Sequence, residues 1–278
     1  MSHKALPATG ELLAARIAEQ AEVLAGLEPA VRADEPDAVH QMRVACRRLR
    51  SALRAYGPPL AAPERELKWL GSVLGGARDC EVLGALLTER ARELPPECEP
   101  EELAARITEW SHERYVRAWP QVLEGLDSPR YRALLATLRE LAADPPSGKG
   151  LPPLRKLIRR AQRRTAARIK AARRAAPGVE TDRELHEARK AAKWARYLGE
   201  TAGRPARRFT ARMKALQEVL GTHQDAVVAR EALYELGRAG GHGFGYGVLY
   251  GEQLAVAERA REQLPEVWRR AKKPPRFR

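Results

Sequence analysis

The chain contains two copies of one sequence pattern, and this repeat constrains its fold more than any other feature. Residues 39–43 (Val-His-Gln-Met-Arg) return 146 residues later as residues 185–189 (Leu-His-Glu-Ala-Arg). A period of this length is too long for a solenoid unit, so it predicts a duplicated domain with pseudo-twofold symmetry. The same offset relates Leu74-Gly75 and Asp79 to Leu220-Gly221 and Asp225.

A segment rich in Pro, Gly and Ser, residues 143–153, separates the copies and has the composition of a linker. We therefore expect a first helical bundle half over residues 1–148 and a second over residues 149–278. Their charges differ sharply, because the first half is net −4 and the second net +18. The overall charge of +14 favours a polyanionic partner without naming it.

The composition predicts an all-α fold. Ala, Leu, Arg and Glu, which form helices readily, are abundant, and aromatic residues are 5% of the chain. Short loops indicate antiparallel neighbours in bundles. Helices are predicted over Gly10–Val31, Asp37–Tyr56, Pro63–Glu93, Glu101–Leu126, Pro129–Ala142, Leu154–Ala175, Asp182–Gly199, Arg207–Leu236, Tyr246–Leu264 and Pro265–Lys272.

The helix after Asp37 carries two parallel stripes of side chains at helical spacing. An apolar stripe should face the core, and a basic stripe lies about 100° further round the helix. The second copy repeats the arrangement. The apolar residues are Val39, Met42, Cys46, Leu49, Leu53, Leu185, Ala188, Ala192 and Ala195, and the basic ones are His40, Arg43, Arg47, Arg50, Arg54, His186, Arg189, Lys193 and Arg196, with Lys190 beside them.

The basic stripes contain no acidic residue, although like charges at this spacing repel one another by a few tenths of a kcal/mol per pair. This pattern favours an anionic ligand, and arginine can hold phosphate oxygens with two hydrogen bonds. The alternative is that carboxylates from neighbouring helices pair with these arginines. A solvated basic face is the corresponding alternative for the segment Arg155–Arg174, which could equally bind ligand.

Both repeated histidines fall near a predicted helix start, where free backbone N–H groups and the helix dipole favour anions. Thr181 and Glu184 fit a capping box before His186, and Asp34 to Asp37 give similar start signals before His40. Each histidine could contact ligand or shape the site through a hydrogen bond. A structural histidine is the alternative.

The following helix of each copy carries a weaker motif. Lys68, Gly71, Gly75 and Arg78 share one face, and Lys214 and Gln217 share the equivalent face with Gly221 and Gln224. Glycine inside a helix costs about 0.5–1 kcal/mol relative to alanine, so we expect it to permit a close approach by a neighbouring helix or a ligand. Asp79 and Asp225 are expected to pair with a nearby arginine.

At these residues the chain resembles the CHAD family, the conserved histidine α-helical domain. The motifs are Val39-His40-x-Met42-Arg43-Val44-x-x-Arg47-Arg48-Leu49-Arg50 and Leu74-Gly75-x-x-Arg78-Asp79, with second copies Leu185-His186-x-x-Arg189-Lys190-x-x-Lys193 and Leu220-Gly221-x-x-Gln224-Asp225. They recur at fixed spacing and the likeness covers nearly the whole chain. Trp194 stands where Arg48 does, and Gln224 where Arg78 does, so the second copy is less basic.

The resemblance implies two four-helix bundles related by a pseudo-twofold axis, with a basic groove or pore between them. It also implies binding of inorganic polyphosphate and association with polyphosphate granules. Without an ExExK signature, the chain looks like a stand-alone form. The ligand-binding residues so implied are His40, Arg43, Arg47, Arg50, Arg54, Lys68, Arg78, His186, Arg189, Lys190, Lys193, Arg196 and Lys214.

Two rival functions are weaker. A binder of single-stranded nucleic acid usually interleaves aromatic side chains with basic ones, which this chain does not. A phosphate-transfer enzyme needs carboxylate-held metal or a phosphate loop, and GxxxxGK[ST] is absent. The glycine-rich residues 241–247 follow no predicted strand and are expected to be a loop leading into a helix. A scaffold that recruits partners to granules is compatible with the main prediction.

Three widely spaced cysteines, Cys46, Cys80 and Cys98, suit a reducing cytoplasm rather than a disulfide framework. No apolar run is long enough for a transmembrane helix. We expect no catalytic residues, no cofactor and no metal site, because no Cys or Cys/His spacing fits zinc. Other phosphorylated polyanions remain alternative partners.

Overall fold

Helices form all the regular structure in a computed structural model of the protein, which describes residues 8–275. Three short 3₁₀ turns, Pro58–Leu60, Pro96–Cys98 and Arg204–Ala206, connect them. The α-helices of this part of the chain are α1 (Thr9–Gly26), α2 (Glu28–Arg32), α3 (Ala38–Tyr56), α4 (Ala61–Arg92), α5 (Pro100–Asp127), α6 (Pro129–Ala143), α7 (Leu154–Ala172), α8 (Val179–Thr201), α9 (Arg207–Arg238) and α10 (Gly243–Ala271).

Consecutive helices pack side by side and antiparallel. In α4 and α5, Gly84 lies against Ser111 while Gly125 lies against Val73, so the two chain directions oppose each other. The pair α9 and α10 makes the other long hairpin, and α3 packs on α4 as α8 packs on α9. Each histidine-bearing helix is therefore held against the helix that follows it.

The main core draws on residues from both sides of the linker. Met42, Leu49 and Leu74 belong to the same buried cluster as Met213 and Leu216. A second, smaller cluster joins the ends of α4 and α5 to those of α9 and α10. Helix α3 also contacts α8 directly, which brings together the two helices that carry the basic stripes.

Most predicted helix bounds differ from the structure by only a few residues, and four differences change how the sequence is interpreted. The first predicted helix divides into α1 and α2 at Leu27, just before Pro29. Helix α8 begins at Val179, so Thr181 lies inside its first turn and donates to the carbonyl of Ala176 instead of forming the predicted capping box.

The other two differences lie in α10. The glycine-rich residues 241–247 lead into a helix, as predicted, but α10 begins at Gly243 rather than at Tyr246. Pro265, expected to begin a separate short helix, lies inside α10. Residues 144–153 lie outside helices, as their composition predicts. Within residues 8–275, no helix is both long and apolar enough to cross a bilayer.

Candidate phosphate-binding site

The apolar stripes of α3 and α8 face the core, as their spacing predicts. In α3, the five predicted residues retain at most 6% exposure, and in α8 the four predicted residues retain at most 3%. This burial fixes the rotation of both helices. The neighbouring basic residues must then lie at the edge of the core, and most of them are half-buried.

One arrangement of arginine, aspartate and glycine occurs in both copies. Arg43 forms an ion pair of 2.8 Å with Asp79 and donates to the carbonyl of Gly75, 3.2 Å away. Arg189 forms the equivalent but longer ion pair with Asp225, at 3.7 Å. The guanidinium of each arginine lies directly over the glycine of the next helix, where a side chain would contact it. Both aspartates are thus arginine partners, as predicted, and each arginine lies at van der Waals distance from where a glycine Cβ would be.

The two repeated histidines have different surroundings. His186 Nδ1 lies 2.8 Å from Gln224 Oε1, and because an amide oxygen accepts, Nδ1 donates. Gln224 occupies the position that Arg78 has in the first copy. Burial lowers the pKa of His40. Asp37 opposes this shift, whereas Arg47, Arg78 and Arg43 add to it.

Basic residues of the two copies meet around Lys193, on α8. Burial, followed by the positive charges of Arg189, Arg47, Arg43 and Arg196 in that order, lowers the pKa of its amine to about 7. Two of these arginines come from α3 and two from α8. We call Arg43, Arg47, Arg189, Lys193 and Arg196 the basic cluster.

Other residues near the basic cluster also link the two copies. Arg54 of α3 lies 5.9 Å from the ring centroid of Trp194 in α8. Arg48 of α3 and Arg16 of α1 lie 3.4 and 3.3 Å from Glu200, at the end of α8. Sequence reasoning missed Glu200, since nothing in a single acid at a helix end indicates which helices will reach it.

Carboxylates from nearby positions pair with seven of the thirteen predicted ligand residues. The stripes themselves contain no acidic residue, but carboxylates on other helices or on other faces of the same helix pair with them. This agrees with the alternative that carboxylates pair with the stripe arginines. Besides the two aspartate pairs, these are Arg50 with Glu64 at 2.8 Å, Arg78 with Glu81 at 3.3 Å and Asp37 at 3.7 Å, Lys190 with Glu187, Arg196 with Glu200 at 2.8 Å, and Lys214 with Glu218 at 3.6 Å.

Four of the predicted lysine and arginine ligands have no carboxylate within 4.0 Å among residues 8–275: Arg47, Arg54, Lys68 and Lys193. Arg47 and Lys193 belong to the basic cluster, whereas Lys68 is exposed on α4. The Nε atoms of Arg47, Arg78 and Arg189 are buried and have no acceptor in the described part of the chain. Buried donors without acceptors are costly, so these three guanidinium groups carry an energetic penalty in the described part of the chain.

Fold and site together define a class of all-helical proteins in which two repeated histidine-bearing helices bring basic residues into one cluster. The chain belongs to the CHAD domain family, whose model matches residues 15–234. This confirms the resemblance drawn from the motifs.

Relatives and solved structures support the same fold. An uncharacterized protein of Mycobacterium tuberculosis, present in two strains, is 37% identical over 272 residues, covering 92% of this chain and 52% of the relative. The chain therefore spans about half the length of the curated relatives it matches. The CHAD domain of the plant Ricinus communis superposes with a TM-score of 0.74 at 27% identity, covering 100% of this chain and 97% of that one. PptA from Streptomyces chartreusis gives 0.79 at 20% identity, covering 95% and 100%.

Proposed function

We propose that this protein binds inorganic polyphosphate without catalysing a reaction, and that the basic cluster is the centre of the site. In this proposal the two copies are two bundles related by a pseudo-twofold axis, and the polymer lies in a groove between them. Association with polyphosphate granules in the cytoplasm would follow from that binding.

The observation that carries the proposal is the convergence of α3 and α8 arginines on Lys193. Burial is the main reason that the pKa of the Lys193 amine is lowered, and the charges of these arginines lower it as well, so they destabilise the charged form of the amine. No carboxylate in the described residues lies within 4.0 Å of Lys193 or Arg47. A polyanion would relieve this repulsion along the whole cluster, whereas a single monovalent ion would relieve it only locally.

The ion-paired residues have a different part in this proposal. Asp79 and Asp225 hold the guanidinium groups of Arg43 and Arg189 in matching positions, so each arginine is fixed before ligand arrives. Fixed side chains lose less conformational entropy on binding than free ones. Arg50, Arg78, Lys190 and Lys214 lie outside the basic cluster and pair with carboxylates of their own, so they would contribute mainly through the field that they add.

A polymer of phosphate alone suits the site better than nucleic acid. The rings within 6 Å of the predicted ligand arginines belong to Trp194 and Tyr197, and Tyr197 is buried beside Arg196. Stacking of successive bases usually needs exposed aromatic platforms along the backbone path. The proposed ligand needs only guanidinium and ammonium groups.

The test is binding of long-chain polyphosphate and of length-matched single-stranded DNA across a salt series. We expect polyphosphate to bind at least about tenfold more tightly at physiological salt, a difference of about 1.4 kcal/mol. Arg47→Gln with Lys193→Gln should weaken binding and flatten the salt slope by about 1 to 2, since each phosphate contact contributes about 0.7 to 0.9.

Arg92→Gln with Arg106→Gln is the matched control, because both arginines are exposed and lie far from α3 and α8 in the chain. Equal affinity for DNA would point to a generic basic surface. Unchanged binding by the Arg47 and Lys193 variant would place the site elsewhere. Both variants should melt as the parent protein does, or better, because neither loses an ion pair of the cluster.

A further inference from the structure

The turns that begin α5 and α10 meet at the end of the molecule where the second core cluster lies. Glu99 precedes α5 and His242 precedes α10, and both have positive φ, 52° and 51°. The helices approach closely there, because a side chain at Gly245 would lie 3.1 Å from the carbonyl oxygen of Cys98. The start of α10, in the second copy, therefore packs directly against the turn before α5, in the first copy.

The hydrogen bonding of His242 determines which of its ring nitrogens carries a lone pair. Nδ1 lies 2.7 Å from Glu99 Oε2, and because a carboxylate only accepts, Nδ1 is the donor. In the neutral ring, Nε2 is then an acceptor. It lies 3.7 Å from Glu102 Oε2, another acceptor in the first turn of α5.

Two acceptors facing each other at this distance favour a cation between them. Zinc binds imidazole nitrogen at about 2.0–2.1 Å and carboxylate oxygen at about 2.0–2.2 Å, so one ion spans a separation of 3.7 Å at a wide angle. Glu99 would be the carboxylate that orients a metal-bound histidine through its other nitrogen, an arrangement common in metal sites. All three donor groups lie within 4.8 Å of one another.

We propose that His242 Nε2 and Glu102 bind a divalent transition metal ion of the zinc type, with Glu99 as the positioning residue and water completing the coordination. The imidazole side chain is only 10% exposed and is held in place, whereas Glu102 is 72% exposed and leaves an open path for the ion. An imidazole ligand favours zinc, nickel or copper over magnesium or calcium. This departs from the sequence expectation of no metal site, which considered cysteine-based spacing.

A bound ion would have two effects at this site. Two carboxylates and one neutral imidazole carry net negative charge, which a divalent ion neutralises. Because the ligands come from α5 in the first copy and the turn before α10 in the second, the bound ion would join the two copies at this end. The site lies on different helices from the basic cluster, so the proposed polyphosphate binding does not depend on it.

The test is calorimetric titration of the full chain with zinc ions at neutral pH, together with thermal unfolding. We expect one equivalent to bind and to raise the melting temperature, with no response to magnesium at the same concentration. Glu102→Gln should weaken zinc binding at least about tenfold, and Glu99→Gln about 10- to 100-fold, as loss of an orienting partner does elsewhere.

Glu101→Gln is the matched control, since it removes the same charge from the same turn of α5 and should bind zinc as the parent does. Cys80→Ser should also retain binding, which separates this site from the partly exposed thiol. The Glu102 variant should fold normally without metal, because Glu102 is largely exposed. Failure of zinc to bind, or equal binding by Glu102→Gln, would overturn the proposal and leave His242 as an ion-pair partner.

Discussion

At the scale of single residues, partners divide the basic side chains of α3 and α8 into two groups. Arg43, Arg189 and Arg196 are anchored by carboxylates, so their charges are partly neutralised within the protein. Arg47 and Lys193 lack such partners among residues 8–275 and face other cations. The unpaired group should therefore contribute most to ligand affinity and least to stability.

Lys193→Met gives the clearest test of this division. The Lys193 amine has a pKa of about 7 in the folded protein, well below its ordinary 10.5. Between these two pH values the amine binds fewer protons in the folded protein than in the unfolded one. Stability should therefore rise with pH above about 7, by up to about 1.4 kcal/mol per pH unit. The variant should lose this rise, be more stable at neutral pH and bind polyphosphate more weakly.

Denaturant unfolding of both proteins at several pH values between 6 and 10 measures the difference. Because the comparison is between parent and variant, other titrating groups such as His40 cancel. Identical pH profiles would mean that the Lys193 amine is not destabilised by its surroundings. Bound polyphosphate should also raise the pKa of this amine, so binding should take up protons in the parent and fewer in the variant.

At the scale of helices, the sequence predicts the elements well and their partners poorly. The 3.6-residue periodicity and the linker composition place α3, α4 and α9 within two residues of their ends. Asp79 and Asp225 were predicted to pair with a nearby arginine, but which arginine depends on the register between helices, since Asp79 is 36 residues from Arg43. The other carboxylate partners were not predicted for the same reason: Glu64, for example, is 14 residues from Arg50. The pairs Arg43–Asp79 and Arg189–Asp225 occupy equivalent positions of the repeat, and their recurrence in both copies is what makes them recognisable as one motif.

The glycines of α4 test whether that register is tight. A methyl group at Gly84 would overlap the Ser111 side chain on α5, whereas one at Gly71 would have no neighbour within 4 Å. Gly84→Ala should therefore lower the free energy of unfolding by about 1–3 kcal/mol. Gly71→Ala should raise it by about 0.5–1 kcal/mol, because alanine favours the helix.

Denaturant unfolding of the two variants separates packing from propensity, since both make the same substitution in the same helix. Adding Ser111→Gly to Gly84→Ala should restore part of the lost stability, because it removes both the Cβ and the Oγ that the new methyl group would overlap. If Gly84→Ala were instead as stabilising as Gly71→Ala, the helices would have to separate freely at this contact, and α4 and α5 would not be close-packed there.

At the scale of the whole molecule, charge is divided unevenly between the copies. The first is net −4 and the second net +18, and much of the excess lies on the outer face of α7. Six basic residues of this face are exposed: Arg155, Lys156, Arg159, Arg160, Arg163 and Arg164. None of the six has a carboxylate within 4.0 Å in the described part of the chain. Such a face attracts polyanions over about a Debye length without needing to contact them in the final complex.

This asymmetry predicts that α7 controls how fast polyphosphate associates, while the basic cluster controls how long it stays. A variant with glutamine at Arg159, Arg160, Arg163 and Arg164 should associate several-fold more slowly at low salt, with an unchanged dissociation rate constant. The difference should fade as salt screens the field. Stopped-flow binding measures both constants, and the matched control carries glutamine at the exposed first-copy residues Arg92, Arg106, Arg117 and Arg139.

Equal slowing of association in both variants would mean that net charge alone steers the polymer and that the position of α7 is irrelevant. Faster dissociation of the α7 variant would mean that this helix contacts bound polymer, which extends the site beyond the basic cluster. Slower association confined to the α7 variant would show that the second copy attracts the polyanion. The first copy would then contribute mainly through Arg43 and Arg47, which face Lys193 across the contact between α3 and α8.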